Sequence, residues 1–320
     1  MTAPIVSILI STRDRAPALR ETLASLAAMA VPGPGAVELM LVDNGSSDET
    51  AAVIEEFHSD TMRVRAFSEP RPGKSRALNR LLEAAEGDIF LFTDDDVRVP
   101  RRWVERMTRP ILQEGADAAV GGMQLASYLA HETMNPRTKA VLADTVGQLD
   151  LDRPGRLVGG NMAVHRRVFD VIPGFDVDLG PGGLGFEEDT LLGLQIVQSG
   201  MQMVGALDVV VEHCPDRNRI DRAVLQSIAE RVGRSDAHVA YHWRHEPASR
   251  LRSRAALIDV RTRLALRRLI DTPSPTGLDE WEHGLLHRKG YHQQMLTELG
   301  SPRKYDRLDL APRSAIPEAA

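Results

Sequence analysis

Four short strand-like runs in the first hundred residues constrain the fold of this chain more than any other feature. Each run is mostly apolar or β-branched and is bounded by turn residues, which is typical of buried strands. They cover residues 5–10, 37–42, 62–67 and 88–93. Apolar residues at helical spacing fill the gaps between them, over roughly 17–29, 49–57 and the dozen residues before Gly87. Strands that alternate with helices predict an α/β fold with a parallel sheet and right-handed crossovers.

Polar segments follow three of these runs, where the predicted strands end. They are STRDR (11–15), DNGSSD (43–48) and TDDD (93–96). Open α/β sheets bind ligands at the carboxyl ends of their strands, so the three segments predict one shared site. The adjacent carboxylates of Asp94, Asp95 and Asp96 repel one another unless a cation or hydrogen-bond donors hold them, and oxygen ligands suit Mg²⁺ or Mn²⁺. A solvated turn after the strand is the alternative, which the convergence of the segments disfavours.

The second half of the chain is less regular. The pattern predicts a helix over 103–112, strands over 118–122, 157–164 and 204–211, and a loop-rich flap over 123–156. The second of these strands contains Gly159 and Gly160, where a ligand or backbone can approach closely. Six glycines over 174–193 lead into a helix whose first turn holds Glu187, Glu188 and Asp189.

The residues after about 217 read as arginine-rich helices. Residues 247–270 predict an amphipathic helix with a basic face. An ordinary packed surface helix, a helix on an anionic membrane surface and a helix that binds a partner protein remain alternatives. The tail after about residue 300 is expected to be loosely ordered.

Composition limits the functional classes. The net charge of −6, without a basic or acidic tail, disfavours general nucleic-acid binding. The single cysteine excludes internal disulfides and a cysteine-rich zinc site, and it fits a reducing compartment. The first residues lack the basic region of a signal peptide, and no apolar run reaches the roughly 18 residues that span a bilayer. We therefore expect a cytoplasmic protein, with peripheral contact at the inner face of the membrane left open.

Several segments, taken in order, resemble those of the inverting family 2 glycosyltransferases with the GT-A fold. They are VSILISTRDR, VDNGSSDET, RPGKSRALN, DIFLFTDDDVRVP, GGNMAV, GFDVDLG and EED, within about residues 4–214. The resemblance implies a Rossmann-like, mostly parallel sheet with helices on both faces and a C-terminal helical extension. It implies a glycosyltransferase domain over 1–215, with a nucleotide-sugar-binding half (1–115) and an acceptor-binding half (116–215), before a helical region over 216–320.

The same resemblance implies a nucleotide-diphosphate-sugar donor, with UDP favoured. By position, Ser11 and Arg13 would contact the base or ribose, and Asp43 and Asn44 would bind the base. Asn44 stands where the family has a second Asp, which weakens the inference of uracil because an amide also donates hydrogen bonds. The remaining donor contacts are Lys74 and Arg76, near the ribose or phosphate, although a solvated basic loop is the alternative for both.

The resemblance also assigns the metal ligands. Asp94 would contact ribose or a metal-bound water, and Asp95 or Asp96 would bind the cation, with the register left open. His213 matches a late metal-binding histidine of some members, and an imidazole ligand favours Mn²⁺ over Mg²⁺. A structural role is the alternative for His213.

The acceptor is a glycan, a lipid-linked molecule or a small molecule, by the same resemblance. Asp189 would be the general base that deprotonates the acceptor hydroxyl, and Glu188 would bind the acceptor. Asp176 and Asp178 would line the acceptor pocket. The alternative for the acidic pair at 188–189 is structural, because acids in a first turn stabilise the helix dipole.

Other classes fit less well. Processive members carry a Q-x-x-R-W segment, which this chain lacks, so we expect the addition of a single sugar. Nucleotidyltransferases of similar fold usually have a glycine-rich loop after the first strand, whereas STRDRAP has no glycine. Dehalogenase-type phosphatases need D-x-D-x-T there, and Asp14 stands alone. A catalytically decayed nucleotide-sugar binder remains an alternative, and so does a homodimer.

Overall fold

One mixed sheet forms the centre of the molecule. The computed structural model describes residues 6–33, 35–130, 134, 136–142, 145, 155–270 and 277–313. The strands in these residues are β1 (Val6–Thr12), β2 (Val37–Asp43), β3 (Arg63–Ser68), β4 (Ile89–Phe92), β5 (Val97–Arg98), β6 (Ala118–Leu125), β7 (Met162–His165) and β8 (Met203–His213). Their order across the sheet is β3-β2-β1-β4-β7-β6-β8-β5.

The first four strands form the parallel half of the sheet, as predicted. β1 lies between β2 and β4, and β2 pairs with β3, all in parallel. Beyond β4 the direction changes, because β7 runs antiparallel to both β4 and β6. β8 is parallel to β6 and antiparallel to β5. The carboxyl ends of β1, β2 and β4 therefore meet at one edge.

Helices pack around this sheet and continue beyond it. They are α1 (Ala16–Ala27), α2 (Thr50–Glu56), α3 (Lys74–Ala84), α4 (Trp103–Glu114), α5 (Ser127–Ala130), α6 (Pro136–Val141), α7 (Glu188–Gln198), α8 (Arg222–His238), α9 (Arg250–Ile270) and α10 (Glu280–Glu298). Short 3₁₀ turns occupy Arg166–Asp170 and Arg217–Ile220, and a π-helical turn, Val239–Trp243, extends α8. None of the described helices combines the length and apolar character that crossing a bilayer requires.

The strand predicted over 157–164 is shorter than expected, because it begins only at Met162. The residue before it, Asn161, is fully buried and holds neighbouring strands together. Its Nδ2 donates to the carbonyl oxygens of Gly122 and Val209, both at 2.8 Å, and its Oδ1 accepts from the Trp103 indole at 2.9 Å. These bonds satisfy a buried amide that would otherwise be costly.

The C-terminal tail differs from the prediction. Residues 301–313 are anchored through Tyr305, which is only 3% exposed, although many of their other side chains are exposed. The Tyr305 hydroxyl donates to Asp176 Oδ2 at 2.8 Å, and Lys304 pairs with Asp176 and with Asp178. Buried polar contacts of this kind order a terminus, so loose order is wrong for this stretch. Residues 314–320 and much of the predicted flap over 123–156 lie outside the described residues, and the domain boundary at 215 stays a prediction.

Candidate functional site

A cavity of about 650 Å³ opens at the carboxyl edge of the parallel strands. Its wall combines the loops after β1, β2 and β4 with the glycine pair before β7 and the start of α7. Asp43, Arg76, Asp176 and Asp178 do not contribute to this wall. The other ten site residues predicted from the sequence do: Ser11, Arg13, Asn44, Lys74, Asp94, Asp95, Asp96, Glu188, Asp189 and His213.

An arginine that the sequence reasoning missed neutralises part of the aspartate triplet. Arg15 Nη2 donates to Asp96 Oδ2 at 2.8 Å, and Arg15 Nε lies 3.8 Å from Asp95 Oδ1. Its Nη1 bonds Asp216 at 2.8 Å. The signal was present in the sequence, because Arg15 belongs to the same STRDR segment (11–15) as Ser11 and Arg13.

The two buried carboxylates of the triplet differ in protonation. Burial raises the pKa of Asp95 to about 7, and the adjacent charge of Asp96 adds to this shift. Burial opposes ionisation of Asp96 as well, but the hydrogen bond and charge of His213 hold the pKa of Asp96 below its usual range. Repulsion between neighbouring carboxylates in a buried site is the physical cause of the split. A divalent cation would remove that repulsion.

His213 is oriented as metal-binding histidines usually are. Its Nδ1 lies 2.7 Å from the Leu142 carbonyl oxygen, which can only accept, so Nδ1 carries the proton. Nε2 then faces Asp96 Oδ1 at 3.5 Å. Without a metal, the protonated ring donates from Nε2 to Asp96, whereas in the neutral ring the bond from Nδ1 to the carbonyl leaves Nε2 free to bind a metal. The oxygen and nitrogen donors of Asp95, Asp96 and His213 therefore fit Mn²⁺ or Mg²⁺.

Two other groups of ligand-type side chains lie closer together, outside the cavity. In the described residues these are His238–His242–Glu298 and Asp176–Asp178–His238. His242 Nδ1 accepts the Lys304 backbone N–H at 3.1 Å, so its proton is on Nε2, which donates to Glu298 at 3.0 Å. That proton occupies the position that a metal would need, so the hydrogen bonds explain the first group without an ion.

The second group is already neutralised by a lysine. Lys304 Nζ bonds Asp176, and it bonds Asp178 Oδ2 at 2.8 Å. The Asp176 side chain is fully buried in this network and does not reach the cavity, and Asp178 is not part of the wall either. The prediction that these two residues line the acceptor pocket is therefore wrong.

Asp189 lies at the start of α7, in the cavity wall opposite β7. Its Oδ2 accepts from the backbone N–H of Gly159 at 2.7 Å, and its Oδ1 accepts from that of Thr190 at 2.7 Å. A Cβ at position 159 would lie 3.4 Å from Asp189 Oδ2 and 3.3 Å from Lys74 Nζ. Two charged side chains therefore approach Gly159 closely, whereas the sequence predicted the approach of a ligand or backbone.

Lys74 joins the triplet to the acidic pair on α7. Its Nζ lies 2.6 Å from Asp94 Oδ1 and 3.4 Å from Glu188 Oε1. Burial raises the pKa of Glu188 to about 7, and the lysine charge opposes that rise. Glu188 is therefore close to half-ionised at neutral pH. Its pKa depends on the distance to the Lys74 ammonium group.

Glu187 precedes α7 in a left-handed conformation, with φ of 73°. It was predicted in the first turn of the helix, but it is the N-cap residue. Burial, with the charges of Asp236 and Asp189, raises its pKa to about 8. Left-handed backbone is unfavourable for a residue with a side chain, and such strain concentrates at functional sites. Glu187 also lines the cavity.

Asn44 and Asp43, two of the predicted donor residues, make hydrogen bonds within the protein. Asn44 Nδ2 donates to the carbonyl oxygens of Glu69 and Arg71, and its Oδ1 accepts from Gly73 N, all at 2.8 Å. These bonds hold the loop that leads to Lys74, so Asn44 positions that loop. Its role in base recognition stays a prediction. Asp43 Oδ1 accepts from the backbone N–H of Ser46, and Asp43 is not part of the cavity wall.

The C-terminal region also lines the cavity, which the sequence reasoning did not foresee. Val232 of α8, His283 of α10 and Arg219 all contribute to the wall. The buried Nε of Arg219 has no hydrogen-bond partner among the described residues. The helices therefore complete the site, and one guanidinium there is available to an anionic ligand.

Comparison with protein families gives a match over half of the chain. The model described as Glycosyl transferase family 2 matches residues 7–172, which is 166 of 320 residues. A β-monoglucosyldiacylglycerol synthase from Synechocystis is 24% identical over 183 residues, 54% of this chain and 37% of the relative. The succinoglycan biosynthesis protein ExoM of Rhizobium meliloti is 34% identical over 111 residues, 33% of this chain and 35% of the relative. The chain thus spans little more than a third of the length of these curated relatives.

Solved structures share the fold. The mannosyltransferase PcManGT from Pyrobaculum calidifontis, in complex with GDP-Man and Mn²⁺, superposes with a TM-score of 0.57 at 18% identity, over 93% of this chain and 87% of that one. TarS from S. aureus gives a TM-score of 0.52 at 18% identity, over 71% of this chain and 39% of that one. These similarities confirm the predicted GT-A fold.

Proposed function

The chain belongs to glycosyl transferase family 2, and we propose that it transfers one sugar from a nucleotide-diphosphate sugar to an acceptor hydroxyl. One observation carries this proposal: a single cavity contains both the aspartate triplet and Asp189. A cation-binding group and a general base on one cavity are what the transfer needs. The lack of a Q-x-x-R-W segment supports a single addition, and family membership supports inversion at the anomeric carbon.

The donor is proposed to bind with a divalent cation, Mn²⁺ or Mg²⁺. Asp95, Asp96 and His213 would hold the ion, and the orientation of His213 Nε2 supports this set. When bound, such an ion neutralises the leaving diphosphate. The neighbour PcManGT contains GDP-Man and Mn²⁺, and a TarS structure with a TM-score of 0.50 contains UDP-GlcNAc.

Base and ribose recognition is assigned to the loops after β1 and β2. We propose UDP as the favoured carrier. Lys74 would act through Asp94, with which it pairs at 2.6 Å. The full proposed donor set is Ser11, Arg13, Asp43, Asn44, Lys74, Arg76, Asp94 and Asp95.

Asp189 is proposed to accept the proton of the acceptor hydroxyl. Two backbone N–H groups, from Gly159 and Thr190, hold its carboxylate in one orientation. A fixed orientation favours proton transfer because the base must lie within hydrogen-bond reach of the hydroxyl. Glu188, which lies 3.4 Å from Lys74, would bind the acceptor.

Thermal unfolding with a panel of UDP-, GDP- and dTDP-sugars tests the donor. A ligand that binds only the folded protein raises the unfolding midpoint, and tighter binding at the same ligand concentration raises it further. We expect a UDP-sugar to raise it when Mn²⁺ is present, and chelation of the metal to reverse the rise. No shift with any nucleotide sugar would contradict the proposal.

A further inference from the structure

Helix α9 carries an apolar stripe that nothing in the described structure covers. Five of the eight large apolar side chains exposed in the described residues lie on this helix, and Leu251, Ile258 and Leu269 are 79%, 67% and 83% exposed. At about 100° per residue these three project within about 20° of one direction. The opposite side is buried, through Ser253, Leu257, Val260 and Leu264. The stripe therefore faces away from the protein.

Arginines flank this stripe on both sides. The helix has seven arginines and one acid, Asp259. At the same helical spacing, Arg254 and Arg261 lie about 60–80° to one side of the stripe, and Arg252 lies about 100° to the other. Arg252, Arg254 and Arg261 make no ion pair with any described residue. Others are already paired, as Arg263 is with Asp259 at 2.8 Å. Unpaired arginines on both edges of an apolar stripe favour binding to a partner surface that is both negatively charged and apolar.

We propose that α9 docks on the surface of an anionic lipid bilayer, with its apolar stripe in the headgroup region and its arginines against the lipid phosphates. Helices that lie in a membrane interface have this pattern, with arginine on the polar flanks of an exposed apolar face. Each basic residue near an anionic leaflet adds to the attraction. A helix lying flat places Arg252 on one flank, and Arg254 and Arg261 on the other, at similar depths.

The charge pattern disfavours a second copy of the chain on this face. A two-fold symmetric contact brings the same surface patch of both subunits together. The arginine rows of one α9 would then face those of the other, with one acid on each helix to compensate. Like charges in such a contact cost binding free energy. An anionic bilayer instead neutralises the arginines on both flanks of the stripe.

Docking would also orient the cavity. On its buried side, α9 contributes Val260 and Leu264 to one apolar cluster that also contains Leu286 of α10 and Leu225 of α8. The same two helices supply His283 and Val232 to the cavity wall. The docking surface and the cavity are thus parts of one packed unit, and the proposal goes beyond sugar transfer because it requires neither donor nor acceptor.

Vesicle co-sedimentation tests the proposal with the full chain. We expect binding to phosphatidylglycerol vesicles and none to phosphatidylcholine vesicles at about 0.1 M salt, with binding weakened as salt screens the arginines. The variant Ile258→Glu/Leu269→Glu should not bind. Replacing Arg252, Arg254 and Arg261 by Gln should weaken binding on the order of 100-fold, at roughly fivefold per residue. These positions are exposed, so the unfolding midpoint should stay close to that of the unaltered chain.

The matched control is Leu112→Glu/Val197→Glu, which places the same charges on exposed apolar positions of α4 and α7. It should bind vesicles normally. Equal binding to both kinds of vesicle, no binding to either, or full binding by the α9 variants would overturn the proposal. So would a lipid-free dimer, seen by sedimentation velocity, that the α9 variant dissociates, since the occupant would then be a second copy. Donor binding is measured separately, so failure here leaves the proposed function intact.

Discussion

The ammonium nitrogen of Lys74 lies 2.6 Å from Oδ1 of Asp94 in the wall of the cavity. Lys74 opens α3 and Asp94 follows β4, so the pair fixes the start of a helix to the end of a strand. Burial opposes the lysine charge, but Asp94 and Glu188 together raise the pKa of Lys74 above its ordinary value. Lys74 therefore stays protonated at neutral pH, and its ammonium group connects the proposed donor side of the cavity to the proposed acceptor side.

Replacing Lys74 with methionine should lower the transfer rate by about 100-fold or more, the size of effect seen when one positioned charge is removed from an active site. Asp94 and Glu188 would lose their shared cation, and the pKa of Glu188, already about 7, would rise further. Steady-state transfer measures the loss. The control is Arg80→Met on the same helix, where an exposed arginine pairs with Glu83. A Lys74→Met enzyme with near-normal turnover would show that the pair is not needed.

Asp189→Asn should abolish most transfer while nucleotide binding persists. The amide keeps the shape of the side chain and can still accept the Gly159 N–H, but it cannot take the acceptor proton. Loss of a general base costs about 10²–10⁴-fold in rate. Transfer assays and calorimetric titration with UDP and Mn²⁺ separate the two effects. Asp208→Asn, at an exposed aspartate paired with Arg106, is the control. Retained transfer by Asp189→Asn would refute the base assignment.

Asp95→Ala together with Asp96→Ala should remove the metal-dependent part of UDP affinity. The backbone of the loop should persist, because Thr22 holds the Asp95 carbonyl oxygen and the Val97 N–H. Calorimetry with and without Mn²⁺ gives the metal-dependent part directly. His213→Gln should produce a smaller loss in the same direction, since one of three ligands is removed. If the double variant gains as much affinity from Mn²⁺ as the unaltered chain, the metal site is elsewhere.

The parallel half of the fold could be predicted from the sequence, because each of its strands is a short apolar run bounded by turn residues. The site followed from topology, since parallel strands end at one edge and the polar segments stand directly after them. This is why ten of the fourteen predicted residues line one cavity. The start of β7 was not predictable, because the bonds from Asn161 to Trp103 and Val209 form only in the folded chain.

Contacts over long sequence separations explain the other omissions. Arg15 bonds Asp216 across 201 positions, and Lys304 pairs with Asp178 across 126. Loop residues such as these have no periodicity that a pattern could detect. The part of the wall that α8 and α10 provide was missed for the same reason, because a helical pattern reports which face is apolar and not what that face contacts.

Stability should fall as the pH rises from about 6.5 to about 9 because of His238. Its ring lies 3.4 Å from Asp176 Oδ2 and 3.3 Å from Glu298 Oε1. Burial alone would lower its pKa, but the hydrogen bonds to both carboxylates raise the pKa of His238 to about 9. The same contacts hold the pKa values of Asp176 and Glu298 below their usual range, so both carboxylates stay charged over this interval.

A pKa that is higher in the folded protein means that the stabilising charge is fully present below the unfolded value, about 6.5, and is lost as the pH passes the folded value. The difference between about 9 and about 6.5 corresponds to about 3 kcal/mol of unfolding free energy. Urea unfolding at about pH 6 and about pH 9.5 measures it. His213 contributes in the same direction, because Asp96 raises its pKa against the effect of burial. The test is therefore the difference in unfolding free energy between the unaltered chain and the variant His238→Gln. The variant should be less stable than the unaltered chain at about pH 6. Between about pH 6 and about pH 9.5 it should lose less stability than the unaltered chain does. An equal loss in both proteins would place the pH dependence on other groups.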